Sequence, residues 1–183
     1  SGEEEARLAA VGALVGEPEG EGAVADMGGS SMELAEIGGG AVGARISLHL
    51  GPQRLAGLSG GELKKRIDAE LDRAESVIDL SGRALFVVGG SWRAFARIEM
   101  ARSGHPLQVL HGYRVEAKAA ADAADWIATQ KTDALKAVPG VSAGRAAAAP
   151  LAAAVLGRLI ARMKPAELRV SAFGLREGVY FEQ

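Results

Sequence analysis

From Glu3 to Val15 the apolar residues recur at helical spacing, with Leu8, Val11 and Val15 at i, i+3 and i+7, and predict a short helix. After the polar turn EPEGEG the period drops to two, and three strand-like runs follow: AVADM, SMELAEI and ARISLHL. In the last run Ala44, Ile46, Leu48 and Leu50 alternate with Arg45, Ser47 and His49, the pattern of a half-buried strand. Gly38 to Gly40 is the turn before it. Helical spacing returns with Leu63, Ile67, Leu71, Ala74 and Ile78, and Ser59 with Glu62 predicts a capping box at the start of that helix. The run RALFVVGG is apolar throughout, as a buried parallel strand is, and SWRAFARIEMARSG reads as the helix after it. A short strand around Tyr113 to Val115 leads into an Ala-rich helix from Glu116 to Thr129. Pro150 suits the first turn of another helix, marked by Leu151, Val155, Leu159 and Met163. ELRVSAF is a last buried strand and GLREGVYF opens a final helix.

After the first helix the order is β-β-β-α-β-α-β-α-α-β-α. It predicts an α/β domain with a mixed five-stranded sheet, three antiparallel strands first and helices on both faces. Composition adds boundaries. With 183 residues, 48% hydrophobic and 24% charged, the chain can bury a core. A net charge of -2 and a pI near 6.0 argue against a nucleic-acid or membrane-surface module. There is no cysteine, which excludes disulfides and thiolate metal sites. We read no signal segment and no apolar run long enough to span a bilayer, so the expectation is a cytoplasmic protein. Opening on SGEEEARL without a methionine and closing at the start of a helix, the chain reads as an excised domain.

The stretch ADMGGSSMELAEI carries the first candidate chemistry. If Gly29 and Ser30 form a two-residue type II′ loop, Asp26 lies directly opposite Glu33 on one face of the sheet. Like charges in that arrangement repel, and a divalent cation or a shared proton removes the conflict. Gly28, Gly29, Ser30 and Ser31 would offer amides and hydroxyls to a phosphate oxygen. A second strand–glycine–helix junction, VVGGSWR, presents Gly89, Gly90 and Ser91 at a helix amino end with Arg93 in the first turn. An ordinary hairpin with solvated acids, a plain βα loop, and acids that favour the helix dipole in Glu3 and Glu4 satisfy the same patterns one by one. Together they point to a site for phosphates and a metal.

Taken in order, SGEEEARL, ADMGGSSMEL, ISLHLGPQRL, VVGGSWRAFAR and SAFGLREGVYF resemble the motifs of the Ppx/GppA family of exopolyphosphatases and guanosine pentaphosphate phosphatases. The resemblance spans nearly the whole chain. It implies a ribonuclease-H-like domain of the actin/Hsp70/sugar-kinase superfamily over residues 1–183, the second domain of a larger protein, with an edge helix in 1–18 carrying the catalytic glutamate. By that resemblance Glu5 activates water, Asp26 and Glu33 hold Mg²⁺ or Mn²⁺, and Gly28, Gly29, Ser30, Ser31, Gly89, Gly90, Ser91 and Arg93 bind phosphate. The implied reaction is release of terminal phosphate from inorganic polyphosphate. Guanosine pentaphosphate hydrolysis and a non-catalytic polyphosphate or nucleotide sensor are the alternatives. A sugar-kinase-like transferase is a further one, weakened by the lack of an acceptor motif. The resemblance implies an N-terminal domain of the same protein as partner. Apolar surface exposed where that domain would dock leads us to expect a second copy of the chain, and the charge leads us to expect no nucleic acid and no membrane. Two departures matter. Ser30 replaces the third glycine of the family loop, and its Cβ would resist a positive φ there. The family's other phosphate loop, of D-x-G-S-N-S type, is not in these residues.

His49, His105 and His111 are too scattered for a metal cluster. Arg54 and Arg176 are divided between surface or ion-pair roles and the cleft. Trp92 and Trp126 read as core or interface residues.

Overall fold

The computed structural model describes residues 1–182. One side of its sheet is a meander of β1 (Gly22–Met27), β2 (Met32–Gly38) and β3 (Ala41–Leu48), antiparallel throughout, with β3 at the edge. β4 (Ala84–Val88) pairs parallel with β1, and β6 (Glu167–Val170) parallel with β4. The short β5 (Arg114–Glu116) closes the far edge antiparallel to β6, so the sheet order is β3-β2-β1-β4-β6-β5. The sheet therefore has six strands, not the expected five. The strand expected around Tyr113 to Val115 runs over Arg114–Glu116, pairs with Arg169, Leu168 and Glu167, and belongs to the same sheet.

Eight helices fill the two faces among the described residues: α1 (Gly2–Gly16), α2 (Pro52–Leu55), α3 (Gly60–Glu75), α4 (Gly90–Ser103), α5 (Ala117–Ala128), α6 (Thr132–Lys136), α7 (Ala143–Met163) and α8 (Leu175–Phe181). Strand alternation divides the core in two. Ala23, Ala25, Met27, Met32, Leu34, Leu85 and Val87 meet Ile67 and Leu71 of α3, Trp92 of α4 and the alanine-rich α5 and α7. Val24, Ala35, Ile37, Phe86 and Val88 point the other way, to Ala6, Ala9, Ala10 and Ala13 of α1, with Leu175 of α8 beside them.

Three local expectations change. Ser59 stands at the amino end of α3, yet its side chain makes no capping hydrogen bond, and Gly60 follows at φ +53. Pro150 lies inside α7, not in its first turn, because the helix already begins at Ala143. The Ala146 to Ala149 run is a strong helix former and carries the helix through Pro150, which lacks the backbone donor for the Ala146 carbonyl and crowds it. That early start also gives α7 the length and mean hydropathy, 1.4, that suit a membrane span. Half of that window is buried, and Val155, Leu156 and Leu159 of α7 are part of the core.

α1 and α8 approach closely because glycines face them. A Cβ on Gly12 would strike the Gly174 carbonyl, and one on Gly178 the Leu8 carbonyl. Arg7 ties the pair by pairing with Glu4 at 2.6 Å and with Glu182. Helix propensity alone makes Gly12→Ala stabilising by about 1 kcal/mol. Overpacking against a backbone carbonyl reverses that sign, and we expect a net loss of about 1–2 kcal/mol in chemical denaturation. A midpoint shifted to higher denaturant would show that α8 yields instead.

Candidate active site at the carboxyl ends of β1 and β4

β1 and β4 are parallel neighbours whose chains leave in opposite directions, β1 to β2 on one side and β4 through α4 towards β6 on the other. In open α/β sheets a crevice forms outside the carboxyl ends of strands at such a switch point. Both glycine-containing turns lie there.

At the end of β1 the register sets Met27 opposite Met32 and Asp26 opposite Glu33. The Gly28 N–H donates to the Ser31 carbonyl at 3.0 Å, which makes Gly29 and Ser30 the loop residues. Met27 and Met32 turn into the core, so Asp26 and Glu33 share the opposite face, the one α1 covers. The loop is not type II′, because neither Gly29 nor Ser30 has a positive φ. The Ser30 Cβ therefore carries no backbone strain, contrary to the concern its identity raises. Tertiary packing shapes the loop instead. The Gln53 N–H donates to the Gly29 carbonyl at 2.8 Å, and Gly51 lies so close behind Ser30 that a side chain would not fit.

The site is rich in negative charge. Burial, the Glu33 charge and, less, the Glu5 charge push the Asp26 carboxyl up to about 6. The Arg93 guanidinium opposes that rise. Glu33 is 4% exposed, and burial with the Glu5 charge raises it too, while the Ser31 and Ser47 hydroxyls hold it down by hydrogen bonding. Ser47 Oγ donates to Glu33 Oε1 at 2.9 Å. Glu5 itself is exposed in the first turn of α1. Its charge registers at both carboxylates, so the structure brings these acids to one place.

The β4 turn meets the first directly. Gly89 has φ +89, and a Cβ on it would collide with Asp26 Oδ1, so only glycine fits. Gly90 and Ser91 begin α4 with Arg93 in the same turn. Arg145, from the first turn of α7, lays its guanidinium over Gly90, with Nη2 2.7 Å from where a Cβ would stand. A cation at the amino end of a helix opposes the dipole, and an anion bound between them relieves that. Arg145, Ser47 and Gln53 escape the sequence reading: Arg145 stands in an alanine run, and only strand pairing brings Ser47 to Glu33. Of the other polar residues considered, His49 and Arg176 are exposed, and Arg54 is exposed on α2 beside Gln53.

Among the described residues no three histidine, cysteine, aspartate or glutamate side chains form a group that could hold a metal ion. Asp26 and Glu33 remain as a pair of hard oxygen donors that repel each other. Mg²⁺ is commonly held by one or two carboxylates, with waters and substrate phosphates completing its shell, and the pair fits that donor set. Glycine amides, two arginines, two metal-type carboxylates and one exposed glutamate together suit chemistry on a phosphorylated ligand.

The comparisons with known proteins agree in kind. The model of the Ppx/GppA phosphatase family matches residues 1–183. A crystal structure of an exopolyphosphatase-like protein superposes with a TM-score of 0.86 at 20% identity, over 100% of this chain and 64% of its own. The Aquifex aeolicus PPX-GPPA enzyme gives 0.80 at 24% identity, over 99% and 63%. An exopolyphosphatase from Cytophaga hutchinsonii gives 0.82 at 18%, over 98% and 62%. The chain thus spans less than two thirds of the length of these structures. A search of curated proteins finds no match.

The raised carboxyls predict how stability depends on pH. Asp26 binds its proton more tightly when folded, about 6 against 3.8, so the folded state holds more protons between those values and stability falls as pH rises through them. The cost is present in full above about 6 and amounts to at most about 3 kcal/mol. In metal-free buffer Asp26→Asn should be more stable than wild type at pH 7 and lose much of this slope. Equal denaturation midpoints for the two proteins at pH 7 would mean that Asp26 is not under this strain.

Proposed function

The chain belongs to the Ppx/GppA phosphatase family, and from that we propose that it forms one wall of a phosphoanhydride hydrolase releasing terminal phosphate from inorganic polyphosphate. The observation that carries this reading is the meeting of the two glycine turns, where Gly89 seats against Asp26 while Asp26, Glu33 and Glu5 feel one another's charge. Glu5, exposed in the first turn of α1, takes a proton from water as the water oxygen attacks the terminal phosphorus. The bond from phosphorus to the bridging oxygen breaks, and the shortened chain leaves with that oxygen. The amides of Gly29, Gly90 and Ser91, with Arg93 and Arg145, hold the phosphoryl oxygens and offset the charge that gathers there, while the Gly28 amide is taken up by the Ser31 carbonyl within the turn. Asp26 and Glu33 would hold Mg²⁺ or Mn²⁺, which supplies Lewis-acid stabilisation of the same oxygens when bound.

The unstrained backbone at Ser30 supports a working loop and speaks against the sensor alternative. Guanosine pentaphosphate carries the same terminal anhydride and is the second substrate to test. In this reading the site is one half of a cleft, and the opposite half belongs to an N-terminal domain of the same protein.

Phosphate release from long-chain polyphosphate with Mg²⁺, by the full-length protein, tests the proposal. Glu5→Ala should lower kcat by about 10²–10⁴-fold, the usual contribution of a general base. Unchanged turnover in the variant would remove Glu5 from the mechanism. A folded wild type that releases nothing would exclude polyphosphate and leave the guanosine nucleotide as the substrate to assay.

A further inference from the structure

One side chain touches both halves of the acidic site, and none of the motifs singles it out. Ser47 lies directly across the β2–β3 ladder from Glu33, on the polar face of its strand, and its hydroxyl donates to Glu33 Oε1 at 2.9 Å. The first residue of α1 packs on the same serine. A Cβ on Gly2 would stand 2.5 Å from both Ser47 Cβ and Ser47 Oγ, and 3.9 Å from Glu33 Oε1. That turn of α1 is itself tied down. Ser1 Oγ accepts from the Glu4 N–H at 3.3 Å, and the Ser1 carbonyl accepts from the Glu5 N–H at 3.0 Å. The position of Gly2 on Ser47 is thus passed within one helical turn to Glu5.

We propose that Ser47 is a positioning residue that orients the Glu33 carboxylate for a divalent cation and seats the α1 turn carrying Glu5 against it. The inference rests on the hydrolase reading above and adds to it a residue that acts through Glu33 and Glu5. A carboxylate with one oxygen tied to a neighbour keeps a single rotamer, and such outer partners commonly govern how well a ligand side chain holds its metal. Gly2 follows from the same geometry, because any larger residue there pushes the hydroxyl off Glu33.

The test uses the full-length protein, with Mn²⁺ as the probe and electron paramagnetic resonance as the readout, beside polyphosphate kinetics. Ser47→Ala should weaken Mn²⁺ binding and lower kcat, each by about 10–100-fold, while KM for polyphosphate holds because the glycine turns are untouched. Ser47→Thr, which keeps the hydroxyl, should recover most of both. Gly2→Ala should reproduce the Mn²⁺ loss although it alters no acid, and it serves as the second variant if Ser47→Ala does not fold. Circular dichroism establishes folding for each. Wild-type Mn²⁺ affinity and kcat in folded Ser47→Ala, or a change confined to thermal stability or KM, overturns the proposal. Glu33→Gln separates the two claims. If it abolishes Mn²⁺ binding and hydrolysis while Ser47→Ala is normal, only the role of Ser47 falls. If it changes neither, the hydrolase reading of Glu33 fails and takes this inference with it.

Discussion

Two carboxylates opposed across neighbouring strands, at the covered end of a sheet, are the constraint on which the site depends. Hairpin register places Asp26 and Glu33 face to face, and α1 removes much of the water that would screen them. The result is a local debt of charge, visible in two carboxyls raised above their ordinary range. Strongly shifted carboxyls of this kind cluster at functional sites. The surrounding features have the complementary sign: glycine amides, the amino end of α4, Arg93 and Arg145.

Close packing by small residues makes that arrangement possible. Gly89 leaves room for Asp26, Gly51 for the Gly29–Ser30 turn, and Gly2 for Ser47. On the far side of α1, Gly12 and Gly178 let α8 lie against it. Each of these positions allows an approach that a Cβ forbids, and Gly2, Gly12 and Gly178 set how closely α1 packs on its neighbours. Since α1 carries Glu5, the depth of a helix packed on alanines also sets the position of an exposed acid.

Family membership and fold agree, and the shared architecture explains why identities near 20% still superpose well. At position 30 the loop holds a serine without backbone strain.

The strands, the two glycine turns and the opposition of Asp26 to Glu33 were legible in the sequence, because period-two alternation and hairpin pairing are local properties of a chain. The number of strands in the sheet was not legible, since a run as short as the edge strand carries little alternation and depends on β6 for its partners. Pro150 misled for a similar reason: a good first-turn residue says nothing about the alanines that extend the helix before it. The turn type was decided by α2, whose Gln53 N–H holds the Gly29 carbonyl and so sets a backbone shape that the glycine alone leaves open. Arg145 over Gly90 and Ser47 beneath Gly2 come from residues far apart in the chain, and only the packing of helices on the sheet brings them together. By itself the sequence determined which residue types line the strand ends; the tertiary structure decided which of them meet, because that depends on how closely α1, α2 and α7 can approach.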